Sequence, residues 1–301
     1  MLVPPGFSQN SVMTKLGRMV YYTAEEKPWA DDLQRVYSER KLIFLHAFGG
    51  GSSAYEWSKV YPAFAADYQV LAPDLIGWGR SDHPARNYRV EDYITTIIEF
   101  IENTYSIPTV AIASGLTAAL TIRAAIIRPD LFKSLILVTP AALEEFGQDY
   151  KTSLAAQIVR IPILDRLLYI GGISTAYGIR SFLEQRQFAR PERIYPEIVE
   201  AYLESARQFN AEYAALAFVR GDLSFDLSKY IPQLSVPTAI IWGQKSEYTG
   251  PEVGRRFAQM NPEAIRIFIY LDDVGFTPQL ELPAVTIGLI RKFLPLLEQP
   301  A

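Results

Sequence analysis

Short apolar runs alternate with longer amphipathic stretches over most of this 301-residue chain, and that alternation constrains the fold more than any other feature. Parallel strands need a crossover of a dozen or more residues, usually a helix, whereas hairpin folds do not. Leu42–Leu45, Val70–Ala72, Thr109–Ala113, Leu135–Val138, Thr238–Trp242 and Ile265–Leu271 read as strands, each followed by a turn rich in Gly, Pro, Ser or Asp. Between them, Tyr55–Ala66, Glu91–Tyr105, Leu116–Arg128, Pro251–Met260 and Pro283–Leu297 read as helices. Ser8–Thr14 and Arg18–Thr23 read as an antiparallel hairpin that starts the sheet. The expected class is α/β: a mostly parallel, twisted, eight-stranded sheet with helices on both faces.

One stretch departs from the alternation. Residues 141–235 carry helical patterning and no convincing strand, and Pro162, Gly171-Gly172, Pro191 and Pro196 divide them into short helices. The expected organisation is therefore a core of residues 1–140 and 236–301, with 141–235 inserted after the sixth strand. An insert that leaves and rejoins the sheet at one edge of the strand ends sits where a lid would sit.

Composition removes several function classes. A net charge of -4 without a basic run argues against nucleic acid. With no cysteine, disulfides and thiolate metal sites are excluded. His46 and His83 are the only histidines, so a histidine-rich metal centre is not expected, and no cofactor is implied. No apolar run approaches the ~20 residues of a spanning helix. Met1–Asn10 lacks a basic segment leading into an apolar one, so a soluble cytoplasmic protein is expected.

Four motifs in order carry a resemblance. The first is Leu42-Ile-Phe-Leu-His46-Ala47-Phe48-Gly49-Gly50-Gly51. The second is Val70-Leu-Ala-Pro-Asp74-Leu-Ile-Gly77-Trp-Gly79-Arg-Ser81-Asp82. The third is Ala113-Ser114-Gly115-Leu116-Thr117, ahead of Arg128-Pro129-Asp130 and Ser134-Leu-Ile-Leu-Val138. The fourth is Asp273-Val-Gly275-Phe276-Thr-Pro278-Gln-Leu-Glu281. Their order and spacing resemble the cap-containing α/β-hydrolase fold family over about residues 18 to 297. The resemblance implies an oxyanion loop at His46, Ala47 and Phe48, a nucleophile elbow near Ser114 and Gly115, and a cap after the sixth strand. It also implies that Asp74 and Asp82 shape loops.

The same resemblance exposes a departure at each triad position. The family's elbow is G-x-S-x-G, a strained strand-to-helix turn that presents a serine. Counting from Pro129 at the family's usual interval places Gly115, not a serine, at the nucleophile position. A register shifted by one makes Ser114 the nucleophile, but leaves Ile112 and Leu116 where glycines belong. The acid position in Trp242-Gly243-Gln244-Lys245-Ser246-Glu247 falls on Ser246, with Glu247 one residue late. The base position in Gly275-Phe276-Thr277-Pro278 falls on Phe276, which cannot exchange a proton. His83 is the remaining histidine that could approach the pocket mouth.

Three functions stay open on these residues. One is a non-hydrolytic protein, with a cap-covered pocket for a small apolar molecule or a scaffold role. Its aromatic supply would be Tyr169, Tyr177, Phe182, Phe188, Tyr202, Phe209 and Tyr213. Another is a cofactor-free lyase-type enzyme that keeps the backbone N–H donors of Phe48 and Leu116, with Ser114, Glu247, Asp272 or Asp273 as base. The third is an esterase that uses Ser114.

Overall fold

The computed structural model describes residues 3–25, 27–29, 40–147, 166 and 168–299. One eight-stranded sheet runs in the spatial order β1-β2-β4-β3-β5-β6-β7-β8. Strands β1 (Phe7–Thr14) and β2 (Gly17–Ala24) form the hairpin, with Thr14 opposite Gly17. β2 lies antiparallel to β4 (Gln69–Pro73). β3 (Lys41–Leu45), β4, β5 (Thr109–Ser114), β6 (Phe132–Val138), β7 (Thr238–Gly243) and β8 (Ile265–Leu271) are parallel. The expected α/β architecture is the one that forms.

The strands sort their side chains by the two-residue period of an extended chain. Ile43, Leu45, Ala111 and Ala113 join the core beneath α1 (Val90–Thr104) and α2 (Gly115–Ile127). Leu42, Phe44, Val110 and Ile112 join the opposite core, which α8 (Pro283–Glu298) covers with Ile290, Phe293 and Leu294. Both faces of β5 are covered, so every one of its residues is buried, as a central parallel strand requires. Proline starts α4 (Pro196–Ala206), α6 (Pro251–Met260) and α8, where its fixed φ suits the first turn.

One expected helix is absent. Residues 55–66 form two 3₁₀ turns, Ala54–Trp57 and Tyr61–Phe64, instead of a continuous helix. Pro62 lacks the N–H that would close the next helical turn, and its ring would collide with the preceding one. The break lets the Trp57 indole donate to the Leu45 carbonyl at 3.0 Å, which ties the turn to β3.

Between β6 and β7 the described residues form α3 (Ala176–Phe182), α4, α5 (Ala211–Val219) and shorter turns, with no strand. An isolated bridge joins Leu143 to Phe225. The breaker expected at Pro162 lies outside the described residues. No helix among the described residues is long and apolar enough to cross a membrane.

The candidate active site at the strand ends

In an open α/β sheet, chemistry belongs outside the carboxyl ends of the strands. Here the loops after β3, β5, β6, β7 and β8 converge there, and the strand-to-helix turn after β5 is central. Ser114 is still extended, at φ -126° and ψ 151°, and Gly115 turns the chain at φ +60°. That left-handed conformation costs a glycine little and any residue with a Cβ ~1–2 kcal/mol. The apex of the turn is therefore Gly115, and Ser114 is the last strand residue. Ser114 is fully buried, and its hydroxyl has no hydrogen-bond partner among the described residues.

A side chain at 115 would have no room. Its Cβ would stand 2.9 Å from Cε1 and Cζ of Phe276 and 3.2 Å from Cβ of Ala47. Phe276 packs in a small apolar cluster with Ala47, Ala141 and Tyr248, whose ring meets it edge-on at 5.0 Å. Its backbone is fixed from the segment between β6 and β7. The Phe276 N–H donates to the Gln187 carbonyl at 2.7 Å. Glu281, on α7 (Pro278–Glu281), accepts from the N–H of Gly275 at 2.5 Å, from that of Ala189 at 3.1 Å and from Arg193 at 3.1 Å.

Ser246 donates its N–H to the Gly243 carbonyl at 3.1 Å, and its hydroxyl oxygen is buried without a partner among the described residues. Glu247 and Asp272 are exposed. Asp273 is paired with Arg190 at 2.7 Å. Phe48 stacks on Trp78 at 5.0 Å and meets Tyr93 at 4.6 Å, and Leu116 is buried in the same core. Asp74 is buried and accepts from the N–H groups of Ala54 at 2.7 Å and Arg80 at 2.8 Å, while Asp82 accepts from Arg18 N–H at 2.8 Å. Both aspartates hold loops. His83 bonds the Gly79 carbonyl at 3.1 Å through Nε2.

His46 is fully buried and serves as a tie between loops. Nε2 accepts the Leu75 N–H at 3.0 Å, so Nδ1 carries the hydrogen that faces the Ala47 carbonyl at 2.7 Å. Burial lowers its pKa from 6.5 to about 4. The folded protein thus holds fewer protons here than the unfolded chain between those values. The stabilisation is complete above the unfolded value and is lost as the pH falls through the folded one, in total about 3 kcal/mol. Denaturant unfolding at stepped pH should show this decline in the wild type and lack it in His46→Asn.

Sequence reasoning missed Glu56, a fully buried carboxyl beside this site. It accepts the Ala47 N–H at 2.9 Å, and the Tyr202 hydroxyl lies 3.0 Å away. A lone glutamate in Ser-Ser-Ala-Tyr-Glu-Trp gives no periodic or motif signal. The aromatic supply is also divided differently from the expectation. Tyr169, Phe188 and Tyr202 are buried, whereas Tyr177 and Phe209 are 84% and 87% exposed. Helical spacing alone does not tell a core-facing ring from an outward one.

Comparison with known proteins bears on this geometry. The model of the Alpha/beta hydrolase family matches residues 42–285. Lipase 1 of Psychrobacter immobilis is 25% identical over 262 residues, covering 85% of this chain and 77% of the lipase. Karrikin insensitive 2 receptor IA of Petunia hybrida is 22% identical over 275 residues, covering 84% and 90%. A solved serine hydrolase involved in carbazole degradation superposes with a TM-score of 0.74 at 16% identity, over 96% of this chain and 99% of that one. At that identity the superposition speaks for the fold alone.

Proposed function

The chain belongs to the alpha/beta hydrolase family, and from that premise we propose that it is a non-hydrolytic member in which residues 141–235 form a cap over a filled catalytic centre. One observation carries the reading: the Phe276 ring occupies the space that a side chain at Gly115 would need. A nucleophile cannot stand at the apex of the turn while that ring is in place. The remaining chemistry is missing as well. Phe276 stands at the base position and Ser246 at the acid position, and the two histidines are bound to backbone elsewhere. The packing of the ring favours a scaffold or interaction role over a pocket for a small apolar molecule at this spot. The cytoplasmic location expected from the sequence is part of the same proposal.

The esterase alternative has less support. Ser114 would need both exposure and a base, and it is a buried strand residue without a hydrogen-bond partner among the described residues. A lyase-type reaction needs a general base within hydrogen-bond reach of substrate. Glu247 and Asp272 are exposed, and Asp273 is engaged by Arg190. Relatives named as a lipase and as a receptor accommodate either a hydrolytic or a binding role, and the closed turn at Gly115 supports the latter. The test is an esterase assay that pairs the wild type with Ser114→Ala, and the two rates should coincide.

A further inference from the structure

The two outermost strands of the sheet are β1 and β8. An outermost strand offers a row of unpaired N–H and C=O groups, and folds blunt it with polar residues, lysine, proline or a covering element. β1 is blunted by composition, for Ser8, Gln9, Asn10, Ser11 and Thr14 lie in it and Lys15 follows. β8 is Ile265-Arg-Ile-Phe-Ile-Tyr-Leu271, whose only charged residue is Arg266 and which holds neither lysine nor proline. One bond fixes the direction of its backbone groups: the Gln244 N–H donates to the Leu271 carbonyl at 3.0 Å. The N–H and C=O of one strand residue point to the same side, and successive residues alternate. Leu271, Ile269 and Ile267 therefore turn to β7, and Phe268 and Tyr270 turn away from it. The register shift in this strand pair lies ahead of Ile267 and leaves that alternation intact. Among the described residues nothing bonds the outward N–H or C=O of Phe268 or Tyr270.

The side chains of this edge are covered only in part. α6 lies against Phe268, since a Cβ on Gly254 would stand 2.6 Å from its ring. On the other face Ile267, Ile269 and Leu271 pack against the core that α8 covers, yet all three stay half-buried, and Tyr270 is 47% exposed. The edge also carries two charges without a charged partner. Arg266 donates to the carbonyls of Gln299 at 2.7 Å and Glu263 at 3.4 Å. Asp272, the residue after the strand, is exposed and makes no ion pair among the described residues.

We propose that β8 pairs with β8 of a second copy of this chain, antiparallel about a two-fold axis at Ile269, which joins two sheets into one. Only outward residues can exchange ladder bonds, so outward residues must stand opposite one another. An axis at Ile269 sets Phe268 against Tyr270 of the second copy, twice over, and each pair exchanges N–H···O bonds. Aromatic on aromatic is a favourable cross-strand pair. Ile269 then meets its own copy and Ile267 meets Leu271, which covers the half-buried apolar edge. The charges select this register. At both ends of the ladder Arg266 of one copy arrives where Asp272 of the other stands. An axis at Phe268 or at Tyr270 would set Asp272 against Ala264 or Phe268 and leave the charges apart. The contact is the same patch on both copies, so assembly closes at the dimer. The pairing does not depend on the non-hydrolytic reading, because it is measured without substrate.

The experiment is analytical ultracentrifugation of the full chain over a concentration series, with circular dichroism as the check on folding. The wild type should sediment as a monomer–dimer equilibrium. Asp272→Arg sets Arg against Arg at both ends of the ladder and should weaken the dimer about tenfold. Adding Arg266→Asp to that variant reverses both charges and should return the affinity towards that of the wild type. A wild type that stays monomeric throughout the series overturns the proposal. So does a dimer that Asp272→Arg leaves unchanged, since its interface then lies elsewhere. A second arm covers a charge variant that does not fold. The chain has no cysteine, so Ile269→Cys carries a single thiol, which the axis places opposite its own copy and within disulfide reach. Under copper-catalysed air oxidation it should form a covalent dimer faster than Met13→Cys, whose thiol stands on the other outermost strand at a position 64% exposed. Equal rates, or a faster Met13→Cys, would overturn the pairing at β8.

Discussion

Gly115→Ser is expected to yield no esterase activity, whereas the triple variant Gly115→Ser, Ser246→Asp, Phe276→His should gain it. The single change places a hydroxyl at the apex but leaves it a neutral alcohol, since no base or acid among the described residues is placed to activate it. It also requires a residue with a Cβ at φ +60° and sets that Cβ 2.9 Å from the Phe276 ring. The triple variant replaces the obstructing ring with an imidazole and supplies a carboxylate, in the Ser-Asp-His order of this fold. In such sites serine and histidine act as a unit, and losing either costs on the order of a million-fold in turnover. A restored base alone should be worth on the order of 10²–10⁴-fold, so the triple should exceed the single by at least that lower figure. Equal activity in the two, above that of the wild type, would reveal a base near Gly115 other than residue 276.

Phe276→Ala is expected to be the most destabilising single substitution at the site. The ring is buried against Ala47, Ala141 and Tyr248 and covers Gly115, which has no side chain to collapse into the gap. Emptying such a position costs the transfer free energy of the ring plus the cavity left behind, ~3–5 kcal/mol. Denaturant unfolding should show a lower midpoint at an unchanged slope. A loss of well under ~1 kcal/mol, together with altered binding of an apolar dye, would mean that the ring is one wall of an open pocket, the small-ligand reading.

The sheet was legible because its strands are buried apolar runs bounded by turn residues. Ile265–Leu271 was read with both its ends correct, and Thr238–Gly243 extends one residue beyond its reading. The helix over residues 55–66 was misread because its apolar spacing is helical while Pro62 removes the hydrogen bond that would sustain it. Gly115 and Phe276 stand out as candidate triad positions only through the spacing of four motifs. That the ring of one fills the space of the other depends on how two distant loops converge, which neither loop encodes alone. Glu56 left no trace in the sequence, since burial and partners come from Ala47 and Tyr202 on other elements. Outward rings such as Tyr177 and Phe209 carry the same helical spacing as buried Tyr202, so pattern alone could not sort them.

Under the proposed function, no nucleophile operates at the turn after β5. Turnover of a short-chain nitrophenyl ester tests it most directly, with purified wild type, Ser114→Ala and a heat-denatured sample run side by side. Three indistinguishable rates are expected. Wild-type turnover above the denatured sample that disappears in Ser114→Ala would contradict it, for Ser114 would then be a working nucleophile and Gly115 would not be the vacated position.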